Sequence, residues 1–209
     1  MSKDGRVRRF QRELEIPKPS GKQVENYLKL WDSLENYVLQ ESSLRKLFSK
    51  TYPLNNSLDE VLIKVCSLND FYSTNIYSPF TIAKHIVALN IDDSLSKHDI
   101  RIVDRIARVK INGRKFNFYS FATKYCSHHK PRTFPIYDFY VEKMLWYYRE
   151  RSKFFKFSKP DLKSYPKFKQ ILESFRKYYG LKKYDLKQID QYLWLAGKKY
   201  FPRNYSTTK

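Results

Sequence analysis

The sequence predicts an all-α protein, and three observations support that fold class. Apolar residues recur at helical spacing through most of the chain, beginning with Val24, Tyr27 and Trp31. Helix-capping patterns such as Ser20 with Gln23 stand where these periodic stretches begin. We expect no β-strand, because no alternation of apolar and polar residues persists for long enough. With 209 residues, 42% of them hydrophobic, the chain can bury a core without disulfides.

The predicted elements follow one another from the amino terminus. Residues 1–19 are polar and basic and end in Pro-Lys-Pro, which predicts a flexible basic arm before a single helical domain over residues 20–209. Periodicity and caps predict helical segments over residues 20–38, 44–48, 57–68, 79–89, 96–109, 118–128, 139–150, 166–179 and 185–198. Two residues mark the connection between the last two helices. Gly180 suits the C′ position after the first of them. Asp185 suits the N-cap position of the second.

Basic residues are concentrated in the second half of the chain. Residues 1–100 contain 14 Lys and Arg against 13 Asp and Glu, whereas residues 101–209 contain 27 against 8. This asymmetry accounts for nearly all of the formal net charge of +20 and indicates a polyanionic partner. Nucleic acid is the leading candidate, because neutralising its phosphates releases counterions. A membrane partner is not expected, since no apolar stretch reaches the ~18 residues that a transmembrane helix needs.

The cysteine content argues against a metal centre. Cys66 and Cys126 are too few for a disulfide framework, a Cys₄ zinc site or a Cys₄ iron–sulfur cluster. Cys126, His128 and His129 lie too close together for one tetrahedral site, so we expect them to pack and cap a helix end. We therefore expect no metal and no cofactor. The few cysteines and the lack of a signal-peptide pattern at the start predict a cytoplasmic protein.

Residues 121–145 carry the most specific functional signal. They read FATKYCSHHKPRTFPIYDFYVEKML: one helix ends in two histidines, the chain turns through Pro131 and Pro135, and Asp138 opens the next helix. An Asp at a helix start is most often only an N-cap, and that interpretation stays open beside a catalytic one. The helix dipole favours the ionised carboxylate at such a position.

This stretch resembles the helix-hairpin-helix DNA glycosylase superfamily, and most closely adenine glycosylase and endonuclease III between Ala122 and Leu145. In these enzymes a small residue begins the second helix of the hairpin, and after a turn containing proline an aspartate opens a further helix. Asp138 follows Ala122 at the spacing of the adenine glycosylase pattern. The resemblance extends over residues 57–150, where SLDEVLIKVCSLND is similar to a helix that ends in a Ser-x-Gln-type segment, with Asn69 in place of the glutamine.

The resemblance implies a two-lobed fold with a cleft near Asn69 and Asp138, and a monomeric enzyme that acts on double-stranded DNA. Asp138 would stabilise the oxocarbenium character of the deoxyribose and orient the attacking water. The target base would leave the helix stack, with Asn69 filling the gap. The expected aromatic walls around the extruded base are Tyr72, Tyr77, Tyr119, Tyr137 and Tyr140.

Departures from the family pattern shape the expected activity. The glycine-rich hairpin that binds phosphates is replaced by KINGRKF over residues 110–116, in which Asn-Gly predicts a turn. Ser120 stands where bifunctional members carry the lysine that attacks the sugar, which predicts a monofunctional enzyme, with Lys124 as the alternative nucleophile. Lys64 falls near the position of the glutamate that protonates adenine, so adenine opposite oxoguanine is not the expected substrate.

The residues expected to contact DNA are Asn69, Asn112, Arg114, Lys115, Lys124 and Lys130.

The sequence therefore predicts a monofunctional DNA glycosylase that releases a damaged or modified base and leaves an abasic site. Its role would be DNA repair or antiviral defence against modified phage DNA. The alternative, from a different class, is a non-catalytic basic helical protein that binds DNA or RNA and in which Asp138 is only a helix cap.

Overall fold

The computed structural model describes residues 15–203, and this part of the chain is mostly helical. Within it the α-helices are α1 (Gly21–Ser33), α2 (Glu35–Lys46), α3 (Leu58–Tyr72), α4 (Pro79–Leu89), α5 (Asp92–Ser96), α6 (Ile102–Ala107), α7 (Tyr119–His129), α8 (Phe139–Ser152), α9 (Tyr165–Tyr178) and α10 (Leu186–Tyr200). A π-helical turn, Leu47–Thr51, follows α2, and a 3-10 turn, Lys159–Lys163, precedes α9. The predicted predominance of helices is confirmed. No helix among these residues is both long and apolar enough to cross a membrane.

Capping residues fix several of the helix starts. Ser20 accepts a hydrogen bond from the backbone N–H of Gln23 at 3.3 Å, as its pattern predicted. Asp185 caps α10 in the same way, because its carboxylate accepts a hydrogen bond from the backbone N–H of Gln188 at 2.9 Å. Ser57 also precedes its helix, but its hydroxyl donates to the carboxylate of Asp59. The helix start at Ser57 was therefore predicted correctly, whereas its capping box was not.

Two predicted helix boundaries are wrong. The helix expected over residues 20–38 is interrupted at Leu34, whose φ of −94° and ψ of 80° separate α1 from α2. Ser96 ends α5 instead of starting a helix, because its hydroxyl donates back to a carbonyl three residues earlier at 2.8 Å. Its expected capping partner, Asp99, accepts hydrogen bonds from Arg101.

A short β-hairpin lies between α6 and α7, where the sequence predicted only a turn. Strands β1 (Arg108–Ile111) and β2 (Arg114–Asn117) are antiparallel, with the first residue of β1 opposite the last of β2. The predicted turn joins them, and Asn112 and Gly113 both have positive φ, 48° and 79°, as a type I′ turn requires. Strands of four residues are too short for an alternating pattern to reveal them in the sequence.

The end of the predicted flexible arm is packed against the domain. Residues 1–14 lie outside the described part of the chain. Ile16 is buried, and its backbone N–H donates to the hydroxyl of Tyr147 in α8 at 3.1 Å. The hydroxyl of Tyr148, also in α8, donates a hydrogen bond to the carbonyl of Pro17 at 2.8 Å. Residues 15–19 therefore belong to the packed domain and not to an arm.

A close crossing of α8 and α10 organises one side of the molecule. α10 packs against α8 and α1, whereas α3 packs against α4 and α7, and buried residues form one continuous core through both groups. Gly197 of α10 lies directly against the start of α8. A Cβ at this position would lie 2.6 Å from the Cβ of Tyr140 and 2.8 Å from its carbonyl oxygen. The absence of a side chain at Gly197 thus permits this helix pair.

We expect Gly197→Ala to destabilise the fold, although Ala normally favours a helix interior over Gly by about 1 kcal/mol. The added methyl group would overlap Tyr140 and force α8 away from α10, at a cost of about 1–3 kcal/mol. Urea denaturation measures the change in free energy of unfolding. Lys199→Ala, at an exposed position of the same helix, is the control. A variant as stable as the wild type would contradict the close crossing.

Candidate functional site

A cleft of about 460 Å³ opens where α1, α2, α3, α7, α8 and α10 come together. This volume is typical of sites for small molecules. Its aromatic side chains are Trp31, Tyr37, Phe71, Tyr72, Phe139, Tyr140 and Trp194. Its charged side chains are Glu41, Lys124, Asp138, Lys187, Asp190, Lys198 and Arg203.

Asp138 lines this cleft at the N-terminus of α8. One carboxylate oxygen caps the helix by accepting a hydrogen bond from the backbone N–H of Val141 at 2.9 Å. Burial raises the pKa of this carboxyl group, whereas Lys124 and the backbone N–H groups at the helix start lower it. The capping role is confirmed, and it is compatible with a chemical role because the residue also lines the cleft.

Lys124 lies inside the cleft and not on the outer surface. The residue is 5% exposed, and its Nζ donates to Ser120 Oγ at 2.6 Å. The same nitrogen lies 5.3 Å from the centroid of the Tyr72 ring. Burial lowers the pKa of Lys124, and the nearby carboxylates of Asp138 and Asp190 partly offset this effect. The cleft therefore contains a lysine that loses its proton more readily than an exposed one.

Asp190 of α10 is a cleft residue that the sequence analysis missed. It is 6% exposed, and its Oδ2 lies 3.9 Å from Lys187 Nζ. Its Oδ1 is buried and has no hydrogen-bond partner among residues 15–203. Glu41 of α2 forms a second ion pair with the Lys187 ammonium group, at 3.2 Å. Burial raises the pKa of Asp190 to about 7, the charge of Asp138 adds to this, and Lys187 opposes it.

Two of the five tyrosines predicted around the base, Tyr72 and Tyr140, line the cleft. The ring of Tyr140 meets Trp194 edge-on, with centroids 6.3 Å apart. Trp194 also packs against Tyr37 and Trp31, at centroid distances of 5.0 and 5.8 Å. We refer to Trp31, Tyr37, Tyr140 and Trp194 as the aromatic wall. Apart from Tyr140, it was not predicted, because its members come from four helices and α1 and α2 lie more than 90 residues from α8 and α10 in sequence.

The other three tyrosines do not line the cleft, and this part of the prediction is wrong. Tyr119 and Tyr137 are buried against each other in the core, with ring centroids 4.9 Å apart. Tyr77 is 65% exposed and packs against Phe116 of β2. Helical spacing predicts which residues face inward, but it does not separate a packed core from the wall of a cavity.

Two polar residues singled out by the family resemblance have structural roles. The side-chain oxygen of Asn69 accepts hydrogen bonds from the Ile76 N–H and the Thr74 hydroxyl, while its nitrogen donates to the Ile76 carbonyl. These contacts hold the loop after α3, so Asn69 has a structural role as a turn residue. Lys64 is buried and donates to Asn55 Oδ1 at 2.7 Å, outside the cleft.

The remaining predicted DNA contacts lie on the surface. Asn112, Arg114 and Lys115 are exposed on the β-hairpin, and Lys130 is exposed just after α7. The Nε2 atom of His128 lies 3.0 Å from the hydroxyl oxygen of Tyr72. Within the described residues, no group of three or more His, Cys, Asp or Glu side chains is arranged to hold a metal ion.

Comparison with known proteins identifies relatives but no activity. A family model described as HI_0787_N, an N-terminal domain, matches residues 23–133. An uncharacterized protein of Haemophilus influenzae is 45% identical over 148 residues, which cover 70% of this chain and 71% of the relative. No solved structure matches the chain. The matched domain includes Trp31 and Lys124, whereas Asp138 and Asp190 lie beyond it.

We expect Asp190→Asn to change how stability depends on pH. The pKa of Asp190 is raised to about 7 in the folded protein, whereas an unfolded Asp titrates near about 4. Between these values the folded protein retains a proton that the unfolded chain has lost, so the wild type loses stability as pH rises. Asn does not titrate. The free energy of unfolding of the variant, relative to the wild type, should therefore increase by about 2–4 kcal/mol from pH 4 to pH 8.

Urea denaturation at the two pH values measures this difference. Glu173→Gln, an exposed acid in α9, serves as the control and should leave the pH dependence of stability nearly unchanged. If the difference between Asp190→Asn and the wild type is the same at both pH values, the carboxyl group of Asp190 does not have a raised pKa.

Proposed function

The chain belongs to the HI_0787_N family, and we propose that it is a DNA glycosylase that releases a damaged or modified base from double-stranded DNA. The observation that carries the proposal is the position of Asp138, which opens α8 and lines a cleft beside the aromatic wall. A flat aromatic base fits such a wall by stacking, and a carboxylate beside it suits a reaction that develops positive charge on a sugar.

In the proposed reaction the bond between the deoxyribose C1′ and the base breaks as the sugar gains oxocarbenium character. The base leaves with the electron pair, and Asp138 stabilises the positive charge on the sugar. Water then adds to C1′, and Asp138 accepts its proton. Burial raises the pKa of Asp138, whereas Lys124 and the backbone N–H groups at the start of α8 oppose this and favour the ionised carboxylate that these steps need.

Charge and architecture support DNA as the substrate. Residues 101–209 carry 27 Lys and Arg against 8 Asp and Glu, and Arg114 and Lys115 are exposed on the hairpin that directly precedes α7. The cleft is lined both by α8 and α10 and by α3 and α7, so a substrate in it would contact helices of both groups, as in the two-lobed arrangement of glycosylases. The proposed enzyme is monomeric and cytoplasmic, and it acts in DNA repair or in defence against modified phage DNA.

A covalent route is the second candidate, and the position of Lys124 favours it. This lysine is buried in the cleft, has a lowered pKa and lies close enough to Asp138 for their charges to interact. As a neutral amine it would attack C1′ while the base leaves with its electron pair. Loss of a proton from the amine and opening of the sugar ring would give an imine, from which elimination of the 3′ phosphate cleaves the strand. Ser120, at the family's usual lysine position, favours the hydrolytic route instead.

We expect Asp138→Asn to abolish base release while preserving the fold. Asn caps helices about as well as Asp, so α8 should form normally. Loss of the negative charge removes the stabilisation of the sugar cation and should lower the single-turnover rate by at least about 100-fold. The measurement is mass spectrometry of bases released from genomic and phage DNAs that carry different modifications.

Asp185→Asn is the matched control, because Asp185 also caps a helix but does not line the cleft. It should release bases at nearly the wild-type rate. Equal activity of Asp138→Asn and the wild type would refute the proposed role of Asp138. Salt-sensitive DNA binding by the wild-type protein with no base released from any DNA would favour the non-catalytic binding protein.

Borohydride reduction distinguishes the two chemical routes. If Lys124 forms an imine with the sugar, borohydride should convert it to a stable protein–DNA adduct, and Lys124→Gln should form none. Hydrolysis by water should leave intact strands with abasic sites and no adduct. Lys22→Gln, an exposed lysine of α1 that is not among the expected DNA contacts, is the control and should behave like the wild type in either case.

A further inference from the structure

We propose that Asp190 and Lys187 read the edge of the extruded base and select a neutral base with a lactam unit, an N–H group next to a carbonyl. Deamination of adenine or cytosine and oxidation of purines at C8 create such units, which guanine and thymine already contain. The inference rests on the proposed function for its DNA context and deepens it by naming the substrate class. Base recognition itself can be measured without catalysis.

The unpaired oxygen of Asp190 is the first observation. Asp190 is more than nine-tenths buried and lines the cleft, yet its Oδ1 has no hydrogen-bond partner among the described residues. A buried acceptor without a donor destabilises a protein, so such groups are rare outside functional sites. A ligand N–H group that reaches this carboxylate would supply the missing donor. The N–H of a lactam is a strong donor, and its bond to a carboxylate is charge-assisted.

The ammonium group of Lys187 provides the complementary donor. Its Nζ lies 3.2 Å from Glu41 and 3.9 Å from Asp190, which leaves part of its three-donor capacity for a ligand. The same nitrogen lies 5.7 Å from the centroid of Trp31, which belongs to the aromatic wall. A base stacked in the cleft can therefore present a carbonyl oxygen to Lys187 and the adjacent N–H to Asp190.

Two further cations lie beside the aromatic wall and disfavour a positively charged ligand. Lys198 Nζ lies 4.6 Å from the Trp194 centroid and 4.9 Å from that of Tyr37. The guanidinium of Arg203 lies 5.7 Å from the centroid of Tyr140. Because these cations lie close to the rings on which the base would stack, they would repel a positively charged alkylated base. Neutral carbonyl-bearing bases suit this environment better than cationic ones.

The first experiment measures single-turnover base release from duplexes that each contain one test base. We expect hypoxanthine, uracil or an 8-oxopurine to be released at least about 10-fold faster than mismatched adenine, mismatched cytosine or 7-methylguanine. Asp190→Asn should slow release of the lactam bases at least about 10-fold, with Asp185→Asn as control. Asp190→Asn should bind a duplex that contains a tetrahydrofuran abasic-site analogue as tightly as the wild type does, since that ligand has no base to recognise.

The second experiment uses free bases and needs no catalysis. Titration with hypoxanthine or adenine, and with uracil or cytosine, can be followed by tryptophan fluorescence, since Trp31 and Trp194 line the cleft. The lactam member of each pair should bind at least about 5-fold more tightly, and Asp190→Asn should abolish that preference. Equal binding of both members, or an unchanged preference in the variant, would overturn the inference. Base preference without release from any duplex would instead refute the proposed glycosylase.

Discussion

The close packing of α8 against α10 at Gly197 is the constraint on which the cleft depends. α8 begins with Asp138 and α10 carries Asp190 and Trp194, so the separation of the two helices sets the distance between these side chains. A residue with a side chain at Gly197 would collide with Tyr140 at the start of α8. The helix pair is thus both a packing unit and the frame that holds the charged and aromatic sides of the cleft.

This frame brings together charges that would be costly to bury one at a time. Each carboxylate or ammonium group loses hydration in the cleft, and the loss is offset only where opposite charges lie within a few ångströms. Lys187 meets this condition, because Glu41 and Asp190 both lie within 4 Å of its ammonium group. Burial lowers the pKa of Lys187, but Tyr72, Glu41 and Asp190 raise it by more. Asp190 meets it only partly, and its raised pKa reflects this incomplete compensation.

Local sequence signals predicted much of the helical framework and one side of the site. Pro79 marked the start of α4, and the capping pattern of Asp185 marked α10, because such signals depend on neighbouring residues only. Asp138 could be found for the same reason. Trp31, Glu41 and Lys187 could not, because their proximity arises from packing between helices more than 140 residues apart in sequence.

The sequence contains a weaker signal that Asp190 is a site residue. Leu186, Asp190, Leu193 and Gly197 share one face of α10 at helical spacing, so a carboxylate stands within an otherwise apolar row. A charged residue on a buried face is rare unless it is paired or functional. Tyr119 shows the opposite case, because the sequence predicts it in the cleft although it belongs to the core.

The two-residue turn of the β-hairpin limits how this surface can diverge during evolution. Arg114 and Lys115 are successive residues of β2, so their side chains extend from opposite faces of the ribbon. Inserting or deleting one residue at Asn112-Gly113 would exchange those faces and move each cation to the other side. Homologues can therefore substitute these positions with other cations more readily than they can change the length of the turn.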